Sequence, residues 1–104
     1  MSKPDTRFHE NVQEKTRQKT KTPPMFRVFL LNDDFTTMDF VVEVLEQVFH
    51  KPPLEAHEIM LQVHKAGRGL VGLYTRDIAE TKIAAVHSRA KNNGFPLKCA
   101  MEPE

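Results

Sequence analysis

The chain has 104 residues, 39% of them hydrophobic, which supports one small domain with a single core. Residues 1–24 carry a net charge of +3, from six Lys/Arg and three Asp/Glu. Residues 25–104 carry a net charge of −2, from nine Lys/Arg and eleven Asp/Glu. A slightly acidic folded part argues against nucleic acid as the main partner, because phosphate binding needs a clustered cationic face. The single cysteine, Cys99, excludes an internal disulfide and indicates a reducing compartment. With no membrane-spanning apolar run and no secretory signal, we expect no membrane contact and a cytoplasmic protein.

Residues 1–23 are predicted to form a disordered N-terminal extension, and residues 24–104 the folded domain. Phe8 and Val12 are the only sizeable apolar side chains in this polar segment, too few to offset the entropy of ordering it. The extension is either an inert solubilising tail or an arm that engages a partner. The residues themselves leave both alternatives open.

The folded domain is predicted to begin with a β-strand over 26–31, a run rich in β-formers. Apolar residues then recur at helical spacing from 40 to 49 and predict a first helix. Thr36 followed by Asp39 resembles a capping box, so this helix should begin near Thr36 or Thr37.

Two further helices and two further strands are expected after Pro52-Pro53, a pair that stops the first helix and suits the start of the next. Gly67 should end the second helix, and Thr75 can cap the third. The predicted ranges are a helix over 54–66, a strand over 69–74, a helix over 76–92 and a strand over 97–101. This order predicts an α+β fold in which three helices pack on one face of a three-stranded antiparallel sheet.

No catalytic or metal-binding constellation is found in the sequence. His57 and His64 are seven residues apart, roughly 10 Å along a helix, too far to share a zinc ion. The glycines match neither a phosphate loop nor a dinucleotide fingerprint, and Cys99 falls on a predicted strand as a structural thiol. We therefore predict a protein that is not an enzyme and needs no metal or cofactor.

The most distinctive segment is Asn32-Asp33-Asp34, between the first strand and the first helix. Three consecutive acceptor-rich side chains there form either a capped turn or a site for a cation. Met60, Val63 and His64 have i, i+3 and i+4 spacing on the second helix and so share one face.

Three separated segments, in order and in register, resemble the ClpS family, the bacterial adaptors of the AAA+ protease ClpAP. They are residues 32–41, which begin with Asn-Asp-Asp, residues 60–64 and residues 79–82, and Pro96-Leu97 resembles the C-terminal strand of the family. The resemblance covers about residues 24–102. Thr37 stands where the family often has proline, and Phe35 where it often has tyrosine.

The resemblance implies that the chain binds N-degrons, which are substrates whose first residue is Leu, Phe, Tyr or Trp, and delivers them to the unfoldase. Asn32, Asp34 and His64 would accept hydrogen bonds from the α-ammonium group, and Asp33 would add charge nearby or act indirectly. Met38 would be a gatekeeper that rejects Ile and Val. The residues implied to line the pocket for the first side chain are Thr36, Met38, Val41, Met60, Val63 and Leu97.

The third predicted helix resembles the region by which ClpS docks on the N-terminal domain of ClpA or ClpC, through Asp77, Glu80, Thr81 and Lys82. The alternative is a solvated charged face on a helix that packs into the core through Ile78, Ile83 and Val86. We expect a monomer. Two other functional classes compete with an N-degron adaptor. One is an interaction module similar in fold to the C-terminal domain of the ribosomal stalk protein, without preference for a first residue. The other is a hydrolase, for which no nucleophile–base pair is found.

Overall fold

In the computed structural model, which describes residues 22–104, strands and helices follow the predicted order. Their bounds are β1 Met25–Leu31, α1 Met38–Gln47, α2 Pro53–Ala66, β2 Arg68–Thr75, α3 Arg76–Asn92 and β3 Lys98–Pro103. The three helices and the three-stranded antiparallel sheet confirm the predicted α+β class. Residues 1–21 of the predicted N-terminal extension lie outside the described residues.

The sheet has the strand order β2-β1-β3, with β1 in the centre. Val28 and Leu30 of β1 are fully buried and point toward the core, as the alternation of β1 predicts. The same alternation places Phe29 on the opposite face, yet its side chain is only 8% exposed. The guanidinium of Arg68 lies 4.0 Å from the centre of its ring and also bridges Glu102 of β3 at 2.8 Å. This cross-sheet pair covers the ring on the face of the sheet that the three described helices leave open.

Helix α2 packs unusually close to β2 because Gly69 has no side chain. A Cβ atom there would lie 2.7 Å from Cγ2 of Val63 and 3.2 Å from the carbonyl oxygen of Ile59. Gly67 ends α2 in the left-handed conformation, with φ of 90°, as predicted. These two glycines fix the C-terminal end of α2 against the start of β2.

Helix α1 is capped by Thr37, whose Oγ1 accepts a hydrogen bond from the Phe40 N–H at 3.1 Å. The predicted capping box from Thr36 to Asp39 is wrong, since the Thr36 hydroxyl donates to Asp33 instead. Thr75 occupies the N-cap position of α3, but its side chain makes no capping hydrogen bond.

Candidate functional site

A cavity of about 230 Å³ opens where the end of β1 meets helices α1 and α2. It contains every residue predicted to bind an α-amino group and all but one of those predicted to hold the first side chain. Its lining consists of Asn32, Asp33, Asp34, Thr36, Met38, Val41, Met60, Val63 and His64.

The antiparallel register explains why Asn32 and His64 meet although 32 residues separate them in the chain. Leu31, the last residue of β1, pairs with Arg68, the first residue of β2. The next residue, Asn32, donates its backbone N–H to the carbonyl oxygen of Gly67 at 2.9 Å, immediately after α2 ends. This bond holds the segment after β1 beside the last turn of α2, which carries His64.

The inner wall of the cavity is apolar and rigidly held. Val41 of α1 and Met60 and Val63 of α2 are at most 6% exposed and belong to the main core. Met38, in the first turn of α1, is 44% exposed. A flexible thioether that is half in solvent can shape the entrance without closing it.

Three polar side chains at the cavity, those of Asn32, Asp34 and His64, are exposed and have no hydrogen bond or ion pair with any residue in the described part of the chain. Each can supply an acceptor: an amide oxygen, a carboxylate, and the lone pair of a neutral imidazole. In the part of the chain that the structure describes, no lysine or arginine lines the cavity. The arrangement suits a ligand that combines a positively charged donor group with one apolar side chain.

Asp33 differs from its neighbours because its carboxylate is already occupied. Oδ1 accepts hydrogen bonds from the backbone N–H groups of Phe35 at 2.8 Å and Thr36 at 2.7 Å, and Oδ2 accepts one from the Thr36 hydroxyl at 2.7 Å. Partial burial acts to raise the pKa of the Asp33 carboxyl, but the hydrogen bonds from Thr36 and Phe35 outweigh it and leave the pKa below its usual value.

Leu97, predicted to line the same cavity, is found elsewhere. It is buried, precedes β3, and lines a separate groove beside α3 together with His87 and Phe95. The ring of Phe95 packs on that of Phe40, with 4.8 Å between centroids. The backbone N–H of Phe95 donates to the carbonyl oxygen of Ala90 at 2.9 Å, which holds the segment before β3 against the end of α3.

Cys99 is a structural thiol, as expected from its position on a strand. Burial raises the pKa of the Cys99 thiol to about 12, so it stays protonated near neutral pH. Its backbone N–H donates to Nε2 of His87 at 3.0 Å.

Similarity to known proteins identifies the family of this chain. The family model of the ATP-dependent Clp protease adaptor protein ClpS matches residues 21–100. The chain belongs to the ClpS family. Its relatives include the ClpS adapter proteins of Desulfatibacillum aliphaticivorans, 61% identical over 84% of both chains, and of Desulforapulum autotrophicum, 48% identical over the full length of both. Like them, it is a Clp protease adaptor.

A solved structure shares both the fold and the family. ClpS2 of Agrobacterium tumefaciens, bound to L-phenylalaninamide, superposes with a TM-score of 0.76 at 40% sequence identity. The superposition covers 79% of this chain and 99% of that one.

The residues predicted to dock on the unfoldase lie along α3, but they are not equivalent. Asp77, Glu80 and Thr81 are exposed, whereas the ammonium group of Lys82 donates to the carbonyl oxygen of Val48 at 2.9 Å, just after α1. Ile78 was expected in the core and is instead 48% exposed, between the acidic residues. A single exposed apolar side chain is common on protein surfaces and does not by itself mark an interaction surface.

Within residues 22–104, no helix is long and apolar enough to cross a membrane. The same part of the chain contains no group of three or more His, Cys, Asp or Glu residues placed to hold a metal ion.

Proposed function

We propose that this ClpS-family adaptor binds N-degrons beginning with Leu, Phe, Tyr or Trp and delivers them to the unfoldase ClpA of the ClpAP protease. It would do so as a cytoplasmic monomer without catalytic activity of its own. The observation that carries the proposal is one apolar cavity lined by three acceptors, those of Asn32, Asp34 and His64, which have no partner within residues 22–104.

The chemistry of a peptide N-terminus fits this combination. An α-ammonium group carries a positive charge and three N–H donors, and its bonds to carboxylates are charge-assisted and therefore strong. A cavity of about 230 Å³ is smaller than the roughly 300–1,000 Å³ of pockets for drug-sized ligands, so it suits one side chain. L-Phenylalaninamide, the ligand of the Agrobacterium relative, has these two features, a free α-amino group and one benzyl side chain.

Fluorescence anisotropy with peptides that differ only at the first residue tests the proposal. Peptides beginning with free Leu or Phe should bind. The N-acetyl-Leu peptide, which lacks the positive charge and two of the three N–H donors, should bind at least about tenfold more weakly, and so should a peptide beginning with Ile. Equal affinity for the free and the acetylated peptide would refute the proposal and favour an interaction module without first-residue specificity.

Variants at the acceptors separate their contributions. Asp34→Asn and Asn32→Ala should each weaken binding of the Leu peptide, while Glu58→Gln, a matched change on the exposed surface of α2, should not. His64→Ala, which removes the imidazole acceptor, should also weaken binding of the Leu peptide. Wild-type affinity in this variant would remove His64 as an acceptor.

Delivery is tested by ClpAP-dependent degradation of a reporter with an N-terminal Leu. We propose that Asp77, Glu80, Thr81 and Ile78 form the docking face, since all four are exposed on α3. Ile78→Lys should abolish delivery and leave peptide affinity unchanged. A variant that delivers as well as the wild type would place docking elsewhere.

A further inference from the structure

We infer that Asp33 is a positioning residue, which holds Asp34 and Thr36 in place at the cavity and does not itself bind the α-ammonium group. This inference rests on the proposed function. It starts from the Asp33 clasp, defined as the Asp33 carboxylate and the three hydrogen bonds it accepts from Phe35 and Thr36. An ionised carboxylate has about four lone-pair sites, so three of them are already used inside the loop.

The clasp is the middle of three attachments that fix the segment between β1 and α1. The first is the hydrogen bond from the Asn32 N–H to the Gly67 carbonyl oxygen, 2.9 Å long. The last is the cap at Thr37, whose hydroxyl accepts from the Phe40 N–H. Between these two points, among the hydrogen bonds within residues 22–104, only the Asp33 clasp restrains the backbone that carries Asp34.

The clasp also fixes a side chain that lines the cavity. The Thr36 hydroxyl proton is donated to Oδ2 of Asp33, which sets the rotamer of Thr36. Neighbouring acidic side chains thus have two functions: the Asp33 carboxylate is turned inward and used by the loop, while the Asp34 carboxylate has no partner among residues 22–104.

The test compares Asp33→Asn with Asp33→Ala. Asparagine removes the negative charge but keeps the shape, an oxygen for the two backbone N–H groups and an amide nitrogen that can donate to the Thr36 hydroxyl. Alanine removes all three bonds. We expect affinity for the free Leu peptide to fall no more than about threefold in Asp33→Asn and at least about tenfold in Asp33→Ala. Asp39→Asn, which removes an exposed charge that does not line the cavity, should bind as the wild type does.

Two outcomes overturn the inference. Equal losses in the Asn and Ala variants would mean that Asp33 acts through its charge on the ligand, and wild-type affinity in the Ala variant would mean that the clasp positions nothing.

A readout without peptide separates the clasp from the proposed function. Amide hydrogen exchange at Phe35 and Thr36 should be slow in the wild type and in Asp33→Asn, and fast in Asp33→Ala. Fast exchange in the wild type would overturn the clasp itself. If the wild type failed to distinguish free from acetylated peptides while these amides stayed protected, the proposed function would fail and the clasp would stand only as a loop restraint.

Discussion

Replacing Gly69 with alanine should lower stability and displace the α2 side chains of the cavity, because Gly69 allows α2 to pack closely against β2. The new Cβ would lie 2.7 Å from Cγ2 of Val63, whereas carbon atoms in contact are about 3.5–4.0 Å apart, so roughly 1 Å must be gained. Val63 is β-branched and stiff, and the Ile59 carbonyl oxygen and the Val63 nitrogen, at 3.2 and 3.3 Å, prevent a local adjustment. Helix α2 must therefore move, and the cavity wall and His64 with it.

Overpacking of this kind costs about 1–3 kcal/mol, offset by roughly 0.5–1 kcal/mol because alanine loses less backbone entropy than glycine. A net loss of about 1–2 kcal/mol corresponds to a fall in Tm of roughly 4–16 °C for a domain of this size. Differential scanning calorimetry measures the Tm, and anisotropy should show weaker binding of the Leu peptide.

The matched control is Gly72→Ala in the same strand, whose Cβ would lie 3.1 Å from the hydroxyl oxygen of Tyr74 and 3.2 Å from Cε2 of its ring, the far end of a side chain that can turn aside. If Gly69→Ala matched this control in both Tm and affinity, the argument from close packing would be refuted. A double-mutant cycle with Val63→Ala sharpens the test. Removing Cγ2 should reduce the cost of Gly69→Ala, and strictly additive costs would contradict the assigned contact.

Three further predictions concern individual side chains. Lys82→Met should lower the free energy of unfolding by about 1 kcal/mol, because it leaves the part-buried Val48 carbonyl oxygen unpaired; no loss in urea denaturation would contradict a structural role. Cys99 should resist maleimide at pH 8 in the native protein and react on unfolding, since burial raises its pKa to about 12; fast native labelling would contradict this. The pKa of the Asp33 carboxyl is lower in the folded than in the unfolded protein. The ionised carboxylate therefore stabilises the fold at a pH above the unfolded-state pKa, and this stabilisation is lost as the pH falls through the folded-state pKa. The stability difference between the wild type and Asp33→Asn should therefore shrink below about pH 5, and a constant difference would contradict the lowered pKa of the Asp33 carboxyl.

Local patterns in the sequence were sufficient to predict the elements and one helical face of the cavity. Gly67 ends α2 in the conformation that glycine favours, and the spacing of Met60, Val63 and His64 places them on one helical face. The family resemblance supplied what spacing could not, namely that Asn32 and Asp34 belong beside that face. Periodicity therefore predicts which residues share a side of one element but not which elements meet.

Sequence patterns reveal least where contacts between distant segments decide. The ring of Phe95 packs on that of Phe40, a pair separated by 55 positions, and Leu97 lines the groove beside α3. Phe29 is buried on the open face of the sheet because Arg68 reaches across it toward β3. Neither contact can be predicted from a local sequence pattern, because each joins side chains that become neighbours only when the domain has folded.

The segment from Asn32 to Thr37 shows why a capped turn and a cation-binding site are not true alternatives. Asp33, Thr36 and Thr37 use their side-chain oxygens in hydrogen bonds within the segment or with the first turn of α1. Asn32 and Asp34 have no such partner in the described chain, and they line the cavity beside apolar walls. A loop whose polar groups were all satisfied internally could not bind an ammonium ion, and one with none satisfied would not hold acceptors in fixed positions for it. The division between used and unused acceptors in adjacent residues is therefore the physical requirement for a rigid receptor built from a short loop.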